Sequence, residues 1–251
     1  MANTPDNIAA PALLAAQWHG GSAGNLLAIG VWVLLTGTAV ALGRRRRGTE
    51  RGERLRVLLG AVGIGVCTLS VGWYLMPERF SWDVSLPVQL CDLAGFVAPL
   101  ALLWRKRPAR TLLHFWGFAL CTQAFVTPVH APGTPGFVVS WLLHGVIVGS
   151  AVYDGAALGY RPGLRDLWIG IGASTAYAGA SFLLNLATGF NYGYTGATAP
   201  GTTTIVDALG AWPLRVVWIG LISAAAMVLV LVVGGAAHRA ARAVRGRRDD
   251  A

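Results

Sequence analysis

Uninterrupted apolar runs of nearly twenty residues recur along this chain, and they constrain its fold more than any other feature. A helix rises about 1.5 Å per residue, so about 20 predominantly apolar residues are needed to cross the hydrocarbon core of a bilayer. With 55 % hydrophobic and only 12 % charged residues among 251, the composition lies outside the usual range of soluble domains. The sequence therefore predicts an all-α, polytopic membrane protein.

Seven segments are long and apolar enough to be predicted as spans. Their approximate ranges are 24–42, 57–76, 85–104, 111–127, 137–157, 166–187 and 213–235. Together they predict a seven-helix transmembrane domain over 24–235. A short extracytoplasmic N-terminal tail, 1–23, precedes this domain, and a basic cytoplasmic tail, 236–251, follows it.

The positions of the basic residues predict how the chain is oriented. Of the 20 lysines and arginines, all but Arg79 and Arg215 fall in alternate connections or in the C-terminal tail. Basic residues that flank spans concentrate on the cytoplasmic side, so the N-terminus is predicted outside and the C-terminus in the cytoplasm. The net charge of +9 then follows from topology and from contact with anionic headgroups at the cytoplasmic face. Nucleic-acid binding is not predicted.

Several classes of site are excluded or disfavoured by residue type. Lys106 is the only lysine and lies in a basic loop, which excludes a retinal Schiff base within the membrane. The chain has no CxxC pair, and only Asp92 and His144 would be firm metal ligands, with His130 as a third candidate, so neither a metal nor a cofactor is predicted. Three cysteines lie within apolar segments and offer no disulfide framework: Cys67, Cys91 and Cys121.

The third span carries the polar residues that most need an explanation. An acid inside a span costs roughly 2.5–3.5 kcal/mol on insertion scales and usually faces a bundle interior or an aqueous cavity. Asp92 is such an acid, and Cys91 is next to it. His144 is predicted at a similar depth in the fifth span. A thiol, a histidine and an orienting acid form a general acyl-transfer constellation, which predicts Cys91 as nucleophile, His144 as base and Asp92 as orienting group.

Other polar residues gather in the outer half of the predicted bundle and in the loop above it. Tyr177, Ser181 and Asn185 follow one another at helical spacing and share a face of the sixth span. Polar residues in spans can equally be interhelical hydrogen bonds, and this alternative stays open. The predicted substrate-binding residues are Gln89, Gln123, Ser181, Asn185, Asn191 and Tyr192, with Gln89, Gln123 and Asn185 as candidate oxyanion donors.

Five motifs carry a family resemblance: LPVQLCD, FWGFALCTQAFVTP, SWLLHG, NYGY and a final WP. They resemble the bacterial YwaF-like integral membrane proteins. These are distantly similar to the transmembrane protein 164 acyltransferases and, beyond them, to androgen-induced-gene-type lipid hydrolases. The resemblance implies a multi-pass protein of the bacterial plasma membrane, with the nucleophile and histidine at Cys91 and His144. The family commonly has histidine where this chain has Gln89, which puts any catalytic role of that position in doubt.

The predicted function is therefore lipid acyl transfer or lipid ester hydrolysis, with membrane lipids as partners. Two alternatives use the same polar region differently: a carrier or binding protein for a small polar solute, and a structural membrane protein without catalytic activity. The sequence does not predict the acyl donor, the acceptor or the oligomeric state.

Overall fold

The computed structural model describes residues 20–198 and 205–249, and within these ranges it contains helices and no strand. The helices are α1 (Ala23–Arg45), α2 (Glu50–Leu75), α3 (Leu90–Trp104), α4 (Arg107–Phe115), α5 (Gln123–Val126), α6 (Pro135–Ala156), α7 (Leu164–Thr188) and α8 (Leu214–Asp249). A π-helical turn, Trp116–Leu120, joins α4 to α5, and two short 3-10 helices, Tyr192–Tyr194 and Ile205–Leu209, lie between α7 and α8. The predicted all-α class is confirmed. Most of the predicted N-terminal tail lies outside the described residues.

Among the described residues, five helices are long and apolar enough to cross a membrane: α1, α2, α6, α7 and α8, the last over Leu214–Arg239. The predicted third and fourth spans differ from this pattern. Helix α3 has 15 residues, or about 22 Å, against the roughly 30 Å of a hydrocarbon core. The fourth segment is divided into α4, the π-helical turn and α5. Seven helical segments are therefore present, of which five meet the criteria for a span.

The outer surface of the bundle is apolar, as a lipid-facing surface must be. Leu27, Leu34 and Leu229 are each more than 60 % exposed on α1 and α8. Such a surface would be a liability in water, but it is the expected exterior of a membrane protein. Together with the five long apolar helices, it identifies a multi-pass membrane protein.

Helices α3 and α6 form the centre of the bundle. Helix α3 packs against α2, α4 and α6, and α6 also packs against α1 and α2. The buried core between them contains Ala94 and Ala98 of α3 and Leu143 and Ile147 of α6. Small residues on α3 let the larger side chains of α6 approach its backbone closely.

The two ends of the bundle differ in charge. One end, called the basic end below, holds the α1–α2 and α3–α4 connections and the start of α7. Two ion pairs join its helices: Arg107 binds the buried Asp166 with a shortest distance of 2.6 Å, and Arg110 binds the buried Asp154 at 2.8 Å. The opposite end, called the site end below, contains the start of α3 and the loop after α7.

Candidate functional site

Helix α3 begins five residues later than the predicted span. The carboxylate of Asp92 accepts a hydrogen bond from the backbone N–H of Gln89 at 3.2 Å, so Gln89 caps the helix and Leu90 is its first residue. A carboxylate in the first turn satisfies an N–H that the helix itself leaves unpaired and interacts favourably with the helix dipole. Cys91 is therefore in the first turn, at the positive end of α3.

The Cys91 thiol lies near two other functional groups. The His144 imidazole and the Cys121 thiol are close enough to act on it electrostatically, although no hydrogen bond of ordinary geometry joins these three described side chains. The side chains of Cys91 and His144 are half-buried, whereas Cys121 is fully buried. Cys91 and His144, predicted at a similar depth, thus lie on two helices that pack together, with a second thiol nearby, and their roles in a site stay a prediction.

Close packing of α3 and α6 produces the contact between Cys91 and His144. Gly95 lies one turn after Cys91, and a β-carbon placed on it would be 2.7 Å from the end of the Leu143 side chain. Leu143 immediately precedes His144, so the missing side chain at Gly95 allows α6 to bring the imidazole to the thiol. On its other side, α6 is fixed to α1 by a 3.0 Å hydrogen bond from Trp32 Nε1 to the Gly145 carbonyl.

A backbone carbonyl holds the His144 ring. Nδ1 of His144 is 2.8 Å from the carbonyl oxygen of Ser140, one turn earlier on α6. A carbonyl can only accept, so Nδ1 carries the proton and donates it, which leaves Nε2 of a neutral ring as an acceptor. The Asp92 carboxylate acts on His144 through its charge, while one of its oxygens accepts a hydrogen bond from the Gln89 N–H. The ring therefore has the tautomer of a general base.

The π-helical turn places Cys121. Within it the hydrogen bonds run over five residues, and the Cys121 N–H donates to the Trp116 carbonyl at 2.9 Å. The wider turn shifts the register of the fourth segment, and such π-bulges occur frequently at functional sites. Neither hydropathy nor residue spacing indicates this turn. The sequence pattern therefore does not indicate that Cys121 lies beside Cys91.

The loop between α7 and α8 closes the site end. The Gly193 N–H donates to Gln89 Oε1 at 2.8 Å, the Tyr192 hydroxyl donates to the Trp82 carbonyl, and the Tyr177 hydroxyl donates to the Val88 carbonyl at 3.0 Å. The last two bonds satisfy carbonyl groups of the non-helical backbone before α3, and the first fixes the Gln89 side chain. Irregular backbone is tolerated at membrane depth only where protein or a water-filled cavity surrounds it.

Most of the predicted substrate-binding residues are used to build this loop. Asn185 donates to the Tyr192 carbonyl and to Thr195, and it accepts from the Tyr192 N–H, all at 2.8–2.9 Å. Ser181 accepts from Thr195 at 3.1 Å, and Asn191 accepts from the Gly196 N–H at 2.9 Å. Gln123 is exposed on α5. Contact of these side chains with a substrate stays a prediction.

Tyr194 is a further residue close to the thiol. It has a left-handed backbone, with φ of 60°, directly after Gly193, whose φ is 61°. The residue is 42 % exposed, and burial of the remaining surface raises the pKa of its phenol. The NYGY motif made this loop conspicuous in the sequence, but it did not single out Tyr194.

A family model supports a relationship that agrees with this geometry. The model of the TMEM164 family matches residues 16–232, which include the described site and helices α1 to α7. No curated protein and no solved structure matches the chain. The resemblance to transmembrane protein 164 is thereby confirmed, whereas the resemblance to YwaF-like proteins stays a prediction. Since the match covers most of the sequence, the chain belongs to the TMEM164 family.

Proposed function

We propose that this protein is a membrane-embedded lipid acyltransferase or lipid ester hydrolase with Cys91 as nucleophile and His144 as general base. One observation carries the proposal: the thiol is in the first turn of α3, and α3 packs against α6, where Nδ1 of His144 is held by the Ser140 carbonyl. Thiolates form preferentially at helix N-termini and beside histidine. Family membership is consistent with a membrane enzyme.

The proposed reaction has two halves. Nε2 of His144 takes the thiol proton, and the sulfur of Cys91 attacks the carbonyl carbon of a lipid acyl ester. The tetrahedral intermediate collapses to a thioester, and the leaving alcohol takes the proton back from His144. A second alcohol, or water, then gives a proton to His144, attacks the thioester and releases the thiol. An alcohol acceptor gives acyl transfer and water gives hydrolysis.

Oxyanion stabilisation is proposed to come from the start of α3 and the loop above it. The backbone N–H groups of a first turn have no partner inside the helix, and the dipole there favours negative charge. The N–H of Cys91 and the phenol of Tyr194 are the proposed donors. Gln89 and Asn185, predicted as donors from the sequence, form hydrogen bonds to the loop and would act by keeping it in place.

The lipid nature of the substrate follows from where the site lies. The bundle presents an apolar exterior to the membrane, so a substrate ester would reach Cys91 from a lipid leaflet. We further propose that all seven helical segments cross the plasma membrane of a bacterium, with α3 recessed at its site end. Its N-terminal end would then be covered by the loop between α7 and α8.

Acyl exchange in vesicles tests this proposal. The purified protein is reconstituted with a phospholipid that carries an isotope-labelled acyl chain, with or without an unlabelled lysophospholipid. Mass spectrometry measures two products. Labelled fatty acid reports hydrolysis, and labelled phospholipid formed from the lysophospholipid reports acyl transfer. Because a serine hydroxyl is far harder to deprotonate than a thiol, Cys91→Ser should lower turnover by about 100-fold or more, as should His144→Ala.

Cys67→Ser is the matched control, because Cys67 is buried and donates to the Gly95 carbonyl, a bond that serine can keep. This variant should retain the wild-type rate. Full turnover by Cys91→Ser would overturn the nucleophile assignment. A wild-type protein that exchanges no acyl chain but releases a trapped polar solute from the vesicles would favour the carrier alternative.

A further inference from the structure

A small cavity lies at the basic end, at the opposite end of α3 from Cys91. It has a volume of about 230 Å³ and is formed where the α1–α2 connection meets the ends of α3 and α6. Along α3, Cys91 and Arg105 are separated by about 21 Å at 1.5 Å per residue. The cavity is thus distinct from the candidate active site. Its lining is Gly43, Arg46, Arg47, Gly48, Gly52, Glu53, Arg105, Tyr153 and Leu158.

Three guanidinium groups line this cavity, and few acidic side chains are close enough to balance their positive charge. Arg46 forms no side-chain hydrogen bond or ion pair with any described residue, and Arg47 reaches only the Leu158 carbonyl, at 3.4 Å. Arg105 is 3.6 Å from Glu53. That carboxylate is engaged more closely by Arg56, at 2.6 Å. The cavity therefore has an excess of positive charge.

The arginines that join helices at the basic end are paired with acids, in contrast to those at the cavity. Arg107 and Arg110, on the next helix, form close hydrogen bonds to the carboxylates of Asp166 and Asp154. The protein thus pairs the arginines that join α4 to α6 and α7. The arginines that surround the open cavity have no acid of their own. This arrangement is expected where the anion comes from a ligand.

A hydroxyl donor lines the same cavity. Tyr153 is 2 % exposed as a residue, and it belongs to the cavity lining. The hydroxyl lies against Gly43, where an added β-carbon would be 2.8 Å from the oxygen. The missing side chain at Gly43 thus lets α1 and α6 pack closely beside the cavity. A ligand oxygen in the cavity could accept a hydrogen bond from this hydroxyl.

We propose that this cavity binds a phosphate group, either the headgroup phosphate of a membrane lipid or a free phosphate ester. Guanidinium groups match phosphate in charge and in planar hydrogen-bonding geometry. The volume is below the roughly 300–1,000 Å³ of pockets for drug-sized ligands, so it suits a headgroup rather than a whole lipid. The inference does not depend on the proposed acyl chemistry.

The experiment measures how much ligand the purified 251-residue protein retains and the temperature at which it unfolds. Vesicles of phosphatidylcholine are supplemented with phosphatidic acid or with phosphatidylserine, and native mass spectrometry counts the bound lipids. A second arm adds inorganic phosphate to protein in neutral detergent and follows the unfolding midpoint. The variants are the triple Arg46→Gln, Arg47→Gln, Arg105→Gln and, separately, Tyr153→Phe. A matched triple, Arg45→Gln, Arg51→Gln, Arg165→Gln, removes the same charge outside the cavity lining.

The wild-type protein should retain phosphatidic acid, and the cavity triple should bind it at least about tenfold more weakly, because hydrogen bonds to charged groups are lost. Tyr153→Phe should weaken binding less, and the matched triple should bind almost as the wild type does. Stabilisation by inorganic phosphate alone, abolished in the cavity triple, would identify a soluble ester as the source. Equal losses in both triples would show only general surface attraction and would overturn the proposal.

Discussion

His144 illustrates how a main-chain group can orient a side chain that is proposed to act as a base. The sequence predicted that Asp92 would orient the ring, but the Ser140 carbonyl, 2.8 Å from Nδ1, is the group bonded to it. Asp92 accepts from the Gln89 N–H and acts on the ring through its charge. A carbonyl fixes the tautomer of the ring without adding a charge. This is an advantage in a membrane, where a charged side chain is costly unless it is paired. An orienting role for Asp92 stays a prediction.

Cys121 should matter for the reactivity of Cys91 even though it is not the nucleophile. A thiol beside the reactive sulfur can donate a hydrogen bond to it, and bonds to charged groups contribute about 1.5–3 kcal/mol. We expect Cys121→Ala to lower acyl turnover by roughly tenfold. It should also slow labelling of Cys91 by an acyl-mimicking thiol reagent, whereas Cys121→Ser, which keeps a donor, should recover much of the rate.

Cys67→Ala serves as the control for this comparison, because Cys67 is equally buried but bonds to the Gly95 carbonyl. The Cys67→Ala variant loses a buried thiol but keeps the proposed hydrogen-bond donor to the Cys91 sulfur. If Cys121→Ala keeps the wild-type turnover and labelling rate, Cys121 only fills space in the core.

At the scale of elements, the helices were largely predictable and their irregularities were not. Apolar runs located α1, α2, α6, α7 and α8, because hydropathy and length decide whether a helix can span a membrane. They could not show where α3 begins, since this depends on a cap between Gln89 and Asp92 and on support from the loop at Gly193. The π-helical turn before Cys121 likewise depends on packing rather than on composition.

The site residues divide in the same way. Cys91 and His144 were identifiable because a thiol beside an acid and a histidine at similar depth are unusual in spans. Cys121 and Tyr194 were not, because their proximity to Cys91 arises from the π-helical turn and from the left-handed Gly193–Tyr194 turn.

Gly95 gives a direct test of how α3 and α6 cooperate. An alanine there would place a methyl group 2.7 Å from Leu143 and 3.2 Å from the sulfur of Cys67. Overpacking of this kind typically costs about 1–3 kcal/mol and would move α6 away from α3. We therefore expect Gly95→Ala to lower the unfolding midpoint and to reduce acyl turnover more than tenfold, since small displacements of catalytic groups are costly.

The control for Gly95 is Gly65→Ala on α2, where an added β-carbon would have open space around it. That change should leave both the midpoint and the turnover close to wild type. A fully active Gly95→Ala protein would show that α6 reaches Cys91 without this close approach.

At the scale of the whole molecule, the two ends of the bundle differ in their polar groups. The site end holds Cys91 and His144 beneath a loop whose polar groups are largely satisfied within the protein. The basic end holds paired arginines that join helices and, at the cavity, arginines left for a phosphate group. Such a division fits a protein whose ends face different aqueous compartments, and α2, which runs from one end to the other, can report which compartment each end faces.

Arg51 and Glu78 are suited to that measurement. Arg51 is exposed in the first turn of α2 at the basic end, and Glu78 is exposed just after α2 at the site end. Neither side chain forms a hydrogen bond or ion pair with a described residue, so each can be replaced by cysteine at little cost to stability. With basic residues retained in the cytoplasm, an impermeant maleimide should label Glu78→Cys in intact bacterial cells. It should label Arg51→Cys only after lysis, and wild-type protein gives the background from the three native cysteines. Labelling of Arg51→Cys in intact cells, with Glu78→Cys protected, would reverse the proposed orientation and would place Cys91 towards the cytoplasm.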